Sequence, residues 1–128
     1  MASYGALLLR LILGIVYIMH AYLALVVFGL SGMMAYQTKA GVPVPELATW
    51  YLILAHGVGG VFLVLGIYPR WAALANVPAM LGAIVFVHLK NGFWAHQKPE
   101  AGYEYALVLL VATVASAMIG GGALSLRR

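Results

Sequence analysis

The chain has no cysteine, and its 128 residues include only three acidic and seven basic side chains. Without thiols, disulfides, iron–sulfur clusters and thiolate zinc sites are excluded. The scarcity of charge excludes more. Charged residues make up 8% of the chain, against roughly 25% in a soluble domain. A globule this small leaves a large share of its surface in water, and so few charges cannot cover it. A soluble enzyme and a disordered chain are therefore ruled out. The net charge of +4 comes from scattered basic residues that form no patch or stripe, so nucleic acid is not a partner. No segment is long enough for a second, soluble domain, and residues 1–128 read as one transmembrane domain.

What fills the space is apolar: 65% of the residues are hydrophobic, against roughly 45–50% in a soluble domain. No Asp, Glu, Lys or Arg occurs between Arg10 and Lys39, Glu46 and Arg70, Arg70 and Lys90, or Glu104 and Arg127. A helix needs about 20 apolar residues to cross roughly 30 Å of hydrocarbon. The runs predict spans over residues 7–30, 47–68, 71–89 and 105–120: an all-α, integral membrane four-helix bundle. Trp50, Tyr51, Tyr68, Trp71, Trp94, Tyr103 and Tyr105 fall near the span ends, as rings at headgroup depth do. No alternation of a β-barrel runs through these segments, and the first run is too long for an ordinary signal peptide.

Both termini and the turn at Pro69 share one side with Arg10, Arg70, Arg127 and Arg128. Lys39, Lys90, Lys98 and all three acids, Glu46, Glu100 and Glu104, lie on the other. The basic count sets both termini in the cytoplasm. The two connections on the far side, Ser31–Pro45 and Asn91–Gly102, carry the turn formers Gly41, Pro43, Pro45, Gly92, Pro99 and Gly102.

Lipid gives helices no hydrophobic reason to associate, so small residues must allow close approach. Ala112, Ser116 and Gly120 recur every fourth residue, and Ala72, Ala75, Ala79 and Ala83 line one face of the third span. The run His56-Gly57-Val58-Gly59-Gly60 reads as helix packing rather than a phosphate loop, because no strand precedes it. Pro78 should kink the third span, with Asn76 available to satisfy a freed backbone group.

Ionisable groups at membrane depth mark a functional site by default. His20 lies about 15 Å along the first span from Arg10, and His56 about 15 Å along the second from Glu46. Two imidazoles thus reach one level, with Tyr17 on the face of His20. Three readings stay open. The pair can be a buried, hydrogen-bonded structural pair; it can contact a quinone headgroup or relay protons; or it can ligate a metal or haem, the weakest because no third ligand shares the span. At the outer mouth His88, Asn91, His96, Glu100 and Glu104 gather with no metal-motif spacing, which reads as a solvated rim or an entrance. Glu104 gains from the helix N-terminus it opens and is read as facing the bundle. Arg10 is read as snorkelling to the interface or lining the inner entrance.

Ordered along the chain, Leu8-Leu9-Arg10-Leu11-Ile12-Leu13-Gly14, His20, Gly59-Gly60-Val61-Phe62-Leu63-Val64-Leu65-Gly66, Pro69-Arg70, Val87-His88-Leu89-Lys90-Asn91-Gly92-Phe93, Gly102-Tyr103-Glu104-Tyr105-Ala106-Leu107 and Gly122-Ala123-Leu124-Ser125-Leu126 resemble the DoxX family of small four-helix bacterial membrane proteins. The resemblance implies a multi-pass protein of the bacterial inner membrane. It also implies a link to sulfur- or thiol-oxidising complexes that pass electrons to quinone, or to membrane assembly factors. The chain departs from the family pattern at Ala21 and Ala24, where Gly and Lys are frequent, and at His56, where Glu is frequent. A Lys–Glu pair is thereby exchanged for the two histidines.

The expected function is that of an accessory membrane subunit of a quinone-linked redox complex, sulfur/thiol-oxidising or respiratory. Its ligand-contacting residues would be Tyr17, His20 and His56, with His88, Asn91 and Glu104 at the outer mouth, quinone as the cofactor and haem less favoured. The alternative is a non-catalytic scaffold or assembly factor. A transporter is disfavoured because paired broken helices are missing. The expected partners are the lipid bilayer, other membrane subunits and copies of the chain itself. Reporter fusions at the two ends should both read as cytoplasmic; opposite readings would undo the placement of the histidines.

Overall fold

The computed structural model describes residues 1–96 and 98–128. Helix α1 (Ala2–Tyr22) runs on through a wide π turn at Leu23–Val27. There follow α2 (Gly29–Ala40), α3 (Pro45–Leu65), α4 (Pro69–Gly82) and α5 (Glu104–Ile119). A second π turn at Ala83–His88 and a short 3₁₀ turn at Leu89–Asn91 lengthen α4. The protein is an all-helical membrane bundle. Ala2–Val27, Pro45–Leu65 and Pro69–Asn91 are each long and apolar enough to cross a bilayer, while α5 is a shorter apolar helix.

Two boundaries follow from simple chemistry. Pro45 and Pro69 open α3 and α4 at their first helical positions, where a missing N–H costs nothing. Gly66 ends α3 in the left-handed region at φ 70°. The first span stops earlier than its apolar run, which continues to Leu30, because Gly29 takes φ 76° and breaks the helix. The stretch beyond it, expected as a connection, folds as α2 up to the left-handed Gly41. With Gly29, Ser31 and Gly32 in its first turn, this segment carries little helical signal of its own, and packing against α3 supplies what propensity lacks.

α1 packs chiefly on α3, α4 on α5, and α3 joins the two pairs through α4. The α1–α3 contact is close at one point. A β-carbon on Gly14 would stand 2.7 Å from the Gly60 carbonyl, and one on Gly60 would stand 2.9 Å from the Gly14 carbonyl. No other residue allows that approach. The core gathers Leu13, Tyr17, Leu63, Ala73, Met80, Leu109 and Ala117. Leu8, Ile12, Ile15 and Met19 on α1, with Val108, Val111 and Met118 on α5, face outward, as lipid-facing residues do.

The two chain ends meet: the Ala123 amide donates to the Ser3 carbonyl at 3.0 Å. The last residues then run back along the α3–α4 turn. Leu126 and Arg127 amides donate to the carbonyls of Leu65 (3.3 Å) and Gly66 (3.0 Å), and the Tyr68 amide donates to Arg127 (2.7 Å). Ser125 Oγ adds a bond to the Gly66 carbonyl at 2.7 Å.

Arg10 holds this end together. Rather than snorkelling, its side chain turns inward and is 1% exposed. Nη1 donates to the carbonyls of Leu63 (2.9 Å) and Val64 (2.6 Å), Nε to Gly121 (2.8 Å) and Nη2 to Ala123 (2.9 Å). One guanidinium thus joins α1, the last turn of α3 and the chain beyond α5. Arg70 does the same for α5, with Nη1 donating to Ala117 (3.1 Å) and Met118 (2.8 Å). Cations at helix C-termini complement both the free carbonyls and the helix dipole.

Replacing Arg10 by Lys should destabilise the protein about as much as Leu does. An ammonium offers three donors from a single point and cannot serve carbonyls spread over two segments, and each orphaned buried acceptor costs about 1–3 kcal/mol. A loss of at least about 3 kcal/mol is expected in a reversible unfolding assay in mixed micelles; full stability in the Lys variant would show that charge alone suffices.

Candidate functional site

Halfway along the bundle the polar residues form a row. On α1, Tyr17 is wholly buried. Its hydroxyl shares a short hydrogen bond with Thr113 Oγ1 on α5, and that threonine donates in turn to the Leu109 carbonyl at 2.7 Å. The Tyr17 ring stacks on His56 of α3, with centroids 4.8 Å apart and planes 27° apart. His56 Nδ1 lies 2.6 Å from Asn76 Oδ1 on α4, and Asn76 Nδ2 donates to the Ala72 carbonyl at 3.0 Å. Since the amide nitrogen is used on Ala72, the amide oxygen accepts. His56 therefore carries its proton on Nδ1. Four helices contribute to the row: two hydrogen-bonded pairs, Tyr17–Thr113 and His56–Asn76, joined by the stacked rings of Tyr17 and His56.

His20 stands at the end of this row. Its ring meets His56 edge-on at 6.2 Å and stacks on Tyr105 at 6.1 Å. It is half-buried. Its nitrogens have no hydrogen-bond partner among the described residues, so this imidazole differs from His56 in kind. Tyr105, which stacks on it, is 48% exposed and belongs to the first turn of α5.

The structure thus brings Tyr17, His20 and His56 together. His88, Asn91 and Glu104 lie apart from that row, in and beside the loop between α4 and α5. His88 Nδ1 faces the Ala101 carbonyl at 3.1 Å. Asn91 Nδ2 donates to Val87 (3.0 Å), to Ala101 (3.3 Å) and to Glu100 Oε2 (3.3 Å). These two side chains tie the loop down. Glu104 opens α5, its amide donating to the Phe93 carbonyl at 2.8 Å, and is half-exposed. His96 is exposed beside Trp94. Among the described residues no group of three or more His, Asp or Glu side chains comes together in a geometry that could hold a metal ion.

Sequence reading named Asn76 only as a partner for backbone freed by Pro78. The structure gives it that kind of bond, to Ala72, and a second to His56. Thr113 and the stacking of Tyr105 on His20 are new with the structure. A threonine inside an apolar helix, four residues after a carbonyl it can reach, was the available signal for Thr113. Gly59, placed with the packing glycines, stands against the Asn76 amide, where a β-carbon would come within 2.9 Å of Nδ2. Gly120 is no free docking face: it takes φ 92° and a β-carbon there would meet the Arg70 guanidinium at 2.9 Å.

The model of the DoxX family matches residues 5–89, which takes in α1 through α4 and the row's residues Tyr17, His20, His56 and Asn76. The chain belongs to the DoxX family and is a membrane protein of it. No curated protein and no solved structure matches it.

A double-mutant cycle tests the network. Tyr17→Phe removes one hydrogen bond and should cost about 0.6 kcal/mol, and no more than about 1.7. His56→Leu should cost more, because it leaves the Asn76 oxygen unpaired at about 1–3 kcal/mol. Combined with Asn76→Leu, His56→Leu should cost markedly less than the sum of the two alone; simple additivity in unfolding free energy would show the two side chains to be independent.

Proposed function

We propose that this protein is an accessory membrane subunit of a quinone-linked redox complex in the bacterial inner membrane, with both termini cytoplasmic. The observation that carries the reading is His20. A half-buried imidazole without a hydrogen-bond partner among the described residues, flanked by the rings of Tyr105 and His56, is costly to leave unpaired. A carbonyl or hydroxyl arriving from the lipid would complete it. Quinone carbonyls are such groups, and a quinone brings a carrier of two electrons and two protons to that place.

The residues of the chain have separable roles in this reading. His20 binds the headgroup oxygen, with Nδ1 or Nε2 donating or accepting according to its tautomer. Tyr105 packs against the imidazole and keeps its plane. Tyr17 and His56 back it with a network already satisfied through Thr113 and Asn76, so their contribution is to orient rather than to exchange protons. Glu104, one residue before Tyr105, stands at the entrance together with the loop held by His88 and Asn91. In this reading the chain supplies the headgroup contact, and the oxidising or reducing chemistry belongs to partner subunits.

Purification in mild detergent followed by organic extraction should recover quinone with the wild-type protein. His20→Ala should lower the recovered quinone about tenfold, the equivalent of one hydrogen bond to a polar ligand, and should slow quinone reduction in host membranes. Absence of quinone from the wild type, with host quinone reduction unchanged in His20→Ala, would replace this reading with that of a non-catalytic scaffold for a larger membrane complex.

A further inference from the structure

A second place in the molecule is built to receive a ligand, and it shares no residue with the Tyr17–His56–His20 row. A cavity of about 590 Å³ lies between α2, the turn that follows it, the first half of α3, and α4 with its π turn. This volume falls inside the range of roughly 300–1,000 Å³ usual for small-molecule sites. The residues that line it include no Asp, Glu, Lys or Arg. Its α4 wall is made of small residues, Ala79, Gly82 and Ala83, between Pro78 and Phe86. Pro78 has no N–H to give the preceding turn, and the π turn from Ala83 to His88 widens the helix beside the cavity. Such π turns are frequent at functional sites.

The polar groups of the lining are unequal. Tyr51 is already used, its hydroxyl donating to the Ala75 carbonyl at 2.5 Å. His88 has Nδ1 against Ala101 at 3.1 Å. Gln37 is different. It is 6% exposed, it lines the cavity, and its side-chain amide has no hydrogen-bond partner among the described residues. An amide that the protein leaves without a partner in so apolar a lining is unfavourable, and on the wall of the chamber it marks the position of a ligand's polar atom. With no cation in the lining, a carboxylate or phosphate cannot be neutralised at that depth. The atom that suits the amide is the oxygen of an uncharged carbonyl, with an apolar chain filling the rest.

We infer that the chamber between α2, α3 and α4 is a lipid site that holds one apolar chain and presents the Gln37 amide to the carbonyl at its head. An acyl ester of a membrane phospholipid and a carbonyl-headed prenyl chain share this chemistry. The inference does not depend on the role proposed for His20.

The test uses the full chain in nanodiscs and two photoreactive probes: phosphatidylglycerol with a diazirine in its acyl chain, and a prenyl benzoquinone with a diazirine in its tail. Labelled positions are mapped by peptide mass spectrometry. At least one probe should label residues 33–52 and 78–88 in preference to residues 8–19 of α1, whose Leu8, Ile12, Ile15 and Met19 face outward, and the probe that does so identifies the source of the chain. Gln37→Leu, which keeps the volume of the side chain, should lower chamber labelling about tenfold, the ratio that one hydrogen bond confers, while leaving labelling of residues 8–19 unchanged. Ala79→Leu, which narrows the chamber from its α4 wall, should lower it as well. Even labelling of all lipid-facing helices by both probes, or chamber labelling unaffected by Gln37→Leu, would overturn the inference. The result is separable from that of His20→Ala, because neither Gln37 nor Ala79 belongs to the His20 site and His20 does not line the chamber.

Discussion

A guanidinium without a carboxylate partner organises this protein. Arg10 lies among helix ends rather than acids, and its donors are spent on four carbonyls. In lipid a backbone carbonyl has no water to turn to, so the end of a helix must be closed by the protein itself. The last turn of α3 and the irregular chain after α5 present such carbonyls at the same place. A planar fork with donors fixed in several directions can reach both. That one contact brings the N-terminal helix, the α3–α4 turn and the C-terminal segment into register, and the backbone pairing of residues 125–127 with 65–68 follows from it. Gly66 must be glycine there for two reasons, its φ of 70° and the Arg10 guanidinium carbon 3.0 Å from where a β-carbon would sit.

Away from that end, the polar side chains differ in how far the protein satisfies them, and the small hydroxyls of Thr49 and Ser116 are buried without a partner among the described residues. Tyr17, Thr113, His56 and Asn76 close their hydrogen bonds on one another and on nearby carbonyls, which fixes the crossing of four helices. His20 and Gln37 are not closed in this way, and they sit where the interior gives way to lipid or to a cavity. The difference matters because an unpaired polar group in an apolar surround is disfavoured whatever its identity. A completed network holds the fold. An incomplete group held in place by a completed one has a binding direction already set, which is how His56 and Tyr105 stand to His20.

The irregular backbone serves the same division. Pro78 and two π turns, at Leu23–Val27 and Ala83–His88, interrupt what would otherwise be straight helices. The first precedes the break at Gly29 that starts α2. The second forms one wall of the chamber that α2 borders. Without α2 the first half of α3 and the end of α4 would be two neighbouring lipid-facing helices; with it they border a cavity.

Much of this was readable in order along the chain. Charge-free runs long enough to cross a bilayer overlap α1, α3, α4 and α5, because the cost of a charge in hydrocarbon acts on each segment separately. Spacing along helices also set His20 and His56 at matching depth, and the structure puts their rings 6.2 Å apart. Other features depend on which helix turns toward which. The direction of Arg10, the pairing of His56 with Asn76 rather than His20, the reach of Tyr17 to Thr113 and the enclosure of Gln37 by α2 are contacts between residues 20 to more than 100 positions apart in sequence. Hydropathy is additive along a chain and legible in it. Whether a buried polar atom is paired is a property of the packed neighbours, and only the tertiary structure decides it.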